Sequence, residues 1–115
     1  MFPGSIKAYV ARERIDLRKA YDGLGLLVQE SLEMDPLSGY LFVFFNKNLD
    51  KMKALYWDRN GFCIWQKRLE KGKFRIPSIL NSHWEISFQE LQFLLAGIDL
   101  RRLPLQVDYR NYVVN

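Results

Sequence analysis

The sequence predicts an α+β fold in a single domain: an antiparallel sheet of four to six strands with two helices packed on one face. Three observations predict it. Short runs rich in aromatic and β-branched residues recur between turn signals. Two longer stretches repeat their apolar residues at helical spacing. The chain is 115 residues long with 49% hydrophobic and 15% aromatic residues, enough to bury one core and too apolar for a disordered segment.

The elements follow in order. Ile6, Ala8 and Val10 alternate with Lys7 and Tyr9, which predicts a short strand over 6–11. Asp16 then stands where it can cap a helix over 17–32, along which Leu17, Tyr21, Leu24, Leu27, Val28 and Leu32 recur at helical spacing. Gly23 and Gly25 cost such a helix about 1 kcal/mol each relative to Ala, so a neighbour must pack closely there or the helix breaks. Asp35-Pro36-Leu37-Ser38-Gly39 is a turn, and the apolar run 40–45 after it predicts a buried central strand.

Segments 51–57 and 62–69 flank Asp58-Arg59-Asn60-Gly61, whose Asn-Gly pair predicts a hairpin. Strand side chains alternate between faces. A two- or four-residue loop therefore sets Lys51, Lys53, Leu55 and Trp57 on one face with Phe62, Ile64, Gln66 and Arg68. Met52, Ala54 and Tyr56 share the other with Cys63, Trp65, Lys67 and Leu69. Lys51, Lys53 and Arg68 then gather at the end far from the turn, an arrangement that a three-residue loop would break.

After Lys71-Gly72-Lys73, residues 74–77 suit a short edge strand, because Pro77 cannot donate to a central ladder. Ser87 and Glu90 have capping-box spacing ahead of a second helix carrying Phe88, Leu91, Leu94 and Leu95 and ending near Gly97. Residues 1–100 thus form the folded domain. Residues 101–115 are a C-terminal tail whose Val107, Tyr109, Tyr112 and Val113 suit an added strand or a docked partner.

Charge is unevenly distributed. Residues 47–75 hold nine Lys or Arg against three acids, a surplus of six, while the rest of the chain has eight basic and ten acidic residues. The same segment contains Tyr56, Trp57, Phe62, Trp65 and Phe74. Cations interleaved with flat rings suit a polyanion with stackable bases, the plain alternative being a solvated charged face.

Other chemistry finds little support. One cysteine, Cys63, cannot form an internal disulfide, and the only histidine, His83, is twenty positions away, so neither a Cys/His nucleophile pair nor a structural zinc site is expected. The sequence predicts no cofactor and no metal. No secretory signal or run of roughly 20 apolar residues is present, which predicts a cytoplasmic protein without a membrane partner.

Four blocks then occur in the order and spacing of one family: Asp16-Leu17-Arg18-Lys19-Ala20-Tyr21-Asp22-Gly23-Leu24, Asp35-Pro36-Leu37-Ser38-Gly39-Tyr40-Leu41-Phe42-Val43-Phe44, Lys53-Ala54-Leu55-Tyr56-Trp57-Asp58-Arg59-Asn60-Gly61 and Lys67-Arg68-Leu69-Glu70-Lys71-Gly72-Lys73-Phe74. The chain resembles, from about residue 5 to Leu100, the small accessory protein often called TnpB of bacterial insertion sequences of the sixty-six family. It does not resemble the much longer RNA-guided nuclease of the same label. The resemblance implies a factor encoded beside a separate transposase and needed for efficient transposition. It carries over no catalytic residue. The chain departs from the family's common Gly-Phe at Ala20-Tyr21, and its tail beyond Arg101 follows no family pattern.

Three functions compete on these grounds. The first is a bacterial, non-catalytic DNA-binding accessory factor in DNA recombination that assists its transposase at element ends. Arg18, Lys19, Lys51, Lys53, Arg59, Lys67, Arg68, Lys71, Lys73 and Arg75 are its candidate phosphate contacts. No helix offers a base-reading face, which predicts weak sequence preference. The second is an adaptor that contacts the transposase or another accessory protein without touching DNA. It would anchor through Trp57, Trp65, Trp84, Tyr109 and Tyr112. The third is a nuclease using Asp16, Asp22, Asp35, Asp58 and Glu70, but cap and turn roles already account for most of these acids. Arg18 and Asp22, one helical turn apart, would form a surface ion pair.

Overall fold

The computed structural model describes residues 6–102. Strands β1 (Ala8–Ala11), β2 (Leu41–Phe45), β3 (Lys51–Asp58), β4 (Gly61–Arg68) and β5 (His83–Ile86) form one sheet in the order β4-β3-β2-β1-β5. Helix α1 (Tyr21–Glu30) joins β1 to β2, and α2 (Phe88–Leu95) follows β5. The α+β expectation holds, with five strands and two helices.

The sheet is mixed rather than wholly antiparallel. β1 and β2 pair in parallel, with Ala8 beside Leu41 and Val10 beside Val43, while the other three pairings are antiparallel. A parallel pair needs a crossover, and α1 supplies it.

The helices cover opposite faces, not one. Leu24 and Val28 of α1 pack with Tyr9, Phe42, Phe44 and Leu55. Leu91 and Leu94 of α2 pack with Ala8, Val10, Leu41, Val43, Phe45 and Met52. Adjacent strand residues thus feed different cores, which is why every residue of β1 and β2 is buried.

The β3–β4 hairpin matches its expected parity. Asp58 pairs with Gly61, leaving Arg59 and Asn60 as a two-residue loop, and Lys51 lies directly opposite Arg68. Arg59, with φ 54°, takes the left-handed conformation here, not Gly61.

Helix α2 begins as its sequence requires. The Ser87 hydroxyl accepts the Glu90 N–H, and the Glu90 carboxylate accepts the Ser87 N–H. It ends with Gly97 at φ 90°, where the Ile98 N–H donates to Phe93 and the Gly97 N–H to Leu94, closing a Schellman motif.

Helix α1 is shorter than expected. It starts at Tyr21 behind Ala20 without a side-chain cap. Asp16 instead accepts the Arg18 backbone N–H and pairs with the Arg18 guanidinium, so Asp16 is not the cap and Arg18 is not the partner of Asp22. Gly25 sits against Phe62 of β4, where an added Cβ would lie 3.7 Å from the ring, an ordinary contact that does not require glycine; the tighter approach is at Gly23, where a Cβ would come 3.3 Å from the Lys19 side chain.

Residues 74–77 form no strand. Phe74 donates its N–H to Leu49, and Phe74 and Ile76 turn inward to the α2-side core, so their alternation comes from burial without a ladder.

Candidate nucleic-acid interface

One end of the sheet gathers most of the expected cations. The loop from β2 to β3 is held by Asn46, whose side-chain oxygen accepts the Asp50 and Lys51 N–H groups while its amide donates to the Asp50 carboxylate at 2.6 Å. Asp50 is thereby turned onto Asn46, leaving Lys47 and Lys51 exposed beside it. The Leu69 N–H donates to Asp50 and the Phe74 N–H to Leu49, which fastens the Lys71–Lys73 loop to the same end. From the other side the Ile15 N–H donates to Phe45, carrying the Asp16–Lys19 segment to the end of β2.

Between these segments lies an open groove of about 880 Å³ lined by Arg18, Lys47, Lys51, Lys53, Arg68 and, from the opposite side of the hairpin, Lys67. Its carboxylates are Asp16 and Glu70. Each already holds one guanidinium: Arg18 pairs with Asp16, and Arg68 grips one Glu70 oxygen at 3.1 Å through two nitrogens. The Arg18 bonds, first from its side chain and then from its backbone N–H, hold the Asp16 carboxyl down at about 2. All four side chains are at least half exposed, and exposed pairs contribute at most about 1 kcal/mol, so a phosphate can exchange for either carboxylate. Lys53 donates from Nζ to the Lys19 carbonyl at 2.9 Å, tying the pre-α1 segment to β3.

The remaining candidates separate. Lys67 lies on the α2 face and donates from Nζ to the Leu95 carbonyl at 2.9 Å, at the negative end of α2. Arg59 sits in the turn, the length of β3 away, roughly 23 Å at 3.3 Å per residue. Arg75 is exposed between the buried Phe74 and Ile76. Lys71 and Lys73 are exposed and form no ion pair among the described residues.

Nor do the rings accompany the cations. Trp57 packs edge-on against Phe62 near the turn at 5.1 Å between ring centres, and Phe74 is wholly buried against Phe45. Trp65 lies on the α2 face over an apolar cleft of about 430 Å³ lined by Met52, Tyr56, Phe88, Leu91 and Leu95. There the Tyr56 phenol is pushed up, first by burial and then by its hydrogen bond with Cys63. Trp84 is half-buried beside the same core. Tyr109 and Tyr112 lie outside the described residues.

The chemistry weighed against binding is spread out. Cys63 and His83 occupy opposite edge strands, four spacings or roughly 19 Å apart, and the His83 ring lies edge-on to Tyr9. Asp35 accepts the Leu37 N–H in its turn, Asp58 closes the hairpin, and Glu70 sits at the far end. Among the described residues no three His, Cys, Asp or Glu converge to hold a metal ion. No helix among them is long and apolar enough to cross a membrane.

Sequence reasoning counted Lys47 in the basic segment without making it a candidate contact. Asn46, which places it, signals itself only as one of several turn formers in Asn46-Lys47-Asn48.

Comparison with known proteins adds the lineage. The family model described as IS66 Orf2 like protein matches residues 6–104. The chain belongs to the IS66 Orf2-like family. Two relatives from Sinorhizobium fredii (strain NBRC 101917 / NGR234) are similar to it. The uncharacterized protein y4hO is 37% identical over 97 residues, covering 84% of each chain. The uncharacterized protein y4jC is 36% identical over 98 residues, covering 85% of this chain and 84% of its own. No solved structure is a significant match. Membership in the IS66 Orf2-like family suggests an accessory role in transposition of an insertion sequence.

Proposed function

We propose that this IS66 Orf2-like protein assists its transposase by holding DNA through the basic end of the sheet, as a non-catalytic, cytoplasmic factor. The observation that carries this reading is the meeting of Arg18, Lys47, Lys51, Lys53 and Arg68 around one open groove, with Lys71 and Lys73 on the adjoining loop. The contacts are to phosphates. The groove is lined by strand and loop residues, with no helix to enter a DNA groove and read base edges, and weak sequence preference follows. Anisotropy titration of the full chain against duplexes with element-end and scrambled sequences tests it. Comparable affinity for both, falling steeply with salt, is the expected result; no binding at low salt refutes it.

The apolar cleft beneath Trp65 favours a second role, contact with the transposase or another accessory protein. Co-purification with the transposase, lost on Phe88→Ala in the same cleft, tests that role separately.

A further inference from the structure

The outer edge of β4 runs for eight residues against four in β5 at the other edge. Half of its backbone N–H and C=O groups face β3 and half face outward. Edges of this length are normally blunted by a central charge, a proline or a bulge. Here Phe62, Cys63, Ile64 and Trp65 carry none, the register with β3 is unbroken, and the cations Lys67 and Arg68 stand only at the end.

Gly61 supplies an independent observation. Its φ is not positive, and a Cβ added there would meet nothing within 4 Å among the described residues. Neither the backbone nor packing among the described residues requires glycine, a residue that weakens strands.

We propose that β4 pairs antiparallel with β4 of a second copy of this chain, about a twofold axis through Cys63, joining two five-stranded sheets into one. Directly opposite residues share a face, so this register sets Phe62 against the partner's Ile64 and Trp65 over the partner's Gly61. The open space at Gly61 is the seat of that indole, an aromatic side chain covering an edge glycine. Antiparallel pairing superposes the apolar halves and sends Lys67 and Arg68 of the two copies to opposite ends, whereas parallel pairing would bring four cations together. Moving the axis to Trp65 would oppose Cys63 with the partner's Lys67, and moving it to Ile64 would oppose Phe62 with the partner's Gln66. A shift by an odd number would reverse the faces. A twofold pairing of one patch with itself closes at two copies.

The pairing does not depend on DNA binding, so its test and that of the proposed function fail separately. Sedimentation of the full chain from low to high micromolar concentration should show a dimer. Diamide, taking one hydrogen from each thiol, should join the two Cys63 sulfurs, since directly opposed strand Cα atoms lie within disulfide range. Gly61→Val should leave the melting temperature at or above that of the parent yet weaken dimerisation at least about tenfold by filling the indole's seat. Trp65→Ala should weaken it similarly, and this half-exposed position decides the matter if the valine variant does not fold. A monomer at high concentration means that the edge has another occupant, such as residues 103–115 or a different protein, and overturns the proposal. A dimer indifferent to both substitutions, or one that diamide does not cross-link, uses another surface or register and overturns it equally.

Discussion

Exchanging both lysines at the β3 start, Lys51→Gln with Lys53→Gln, separates a phosphate-holding groove from a merely solvated one. Each phosphate contact contributes about 0.9 to the slope of log affinity against log salt, so removing two should flatten it by about 1.8. At 0.1 M salt each contact is worth a factor of about eight, and the pair roughly sixty-fold, or about 2.4 kcal/mol. Circular dichroism should change little, while stability should fall by about 1 kcal/mol because Lys53→Gln frees the Lys19 carbonyl. The control is Arg59→Gln, the loss of one charge at the far end of the hairpin, to be compared charge for charge. Anisotropy titrations across a salt series read both slopes. An unchanged slope in the double variant, or an equal loss per charge in Arg59→Gln, would refute the assignment of DNA to this end of the sheet.

Three further outcomes follow from the packing and the ion pairs. Phe74→Ala should cost about 3–5 kcal/mol in urea unfolding despite its place in a loop, because the ring is fully buried against Phe45, whereas Leu80→Ala, 88% exposed, should cost almost nothing. Lys67→Met should lower stability by about 1 kcal/mol by freeing the Leu95 carbonyl at the α2 terminus, while moving the salt slope of DNA binding far less than the double variant does. The Asp16 carboxyl is held down from 3.8 to about 2, so the folded chain binds fewer protons than the unfolded one; its stabilisation is present above about pH 4 and is lost as pH falls toward 2. The urea midpoint difference between the parent and Asp16→Asn should therefore shrink over that interval; a constant difference would contradict the Arg18 pairing.

Local chemistry was legible wherever neighbouring residues decide it. Asp58-Arg59-Asn60-Gly61 marked the hairpin, but its parity and the convergence of Lys51, Lys53 and Arg68 waited on the loop length, which proves to be two; Ser87 and Glu90 marked the start of α2. Less was legible where distant partners decide. β5 has only four residues, and Trp84 and Ile86 become strand residues through pairing with Val10 and Ala8 more than seventy positions earlier. The alternation of Phe74 and Ile76 reads as a strand, although burial alone produces it. Asp16 has the chemistry of a cap, yet Arg18 two residues on competes for it and wins. Which face each helix covers depends on the order of strands in space, which no local pattern records. Within the candidate site, the surplus of cations was visible, but the capture of Lys67 by α2 and the separation of rings from cations emerge only in three dimensions.

The position of β1 has a consequence for how the chain is made. Of the described strands it is synthesised first, yet it lies inside the sheet, flanked by β2 and by β5, the last of them. At about 5–20 residues per second, its second neighbour leaves the ribosome some seconds after it does. Until then Val10 and Ala8 present an open backbone edge, and nascent chains crowded on one messenger could lend one another the missing strand. A slower start to translation, which spaces the ribosomes, should thus favour correct assembly over exchange, whereas dilution should not.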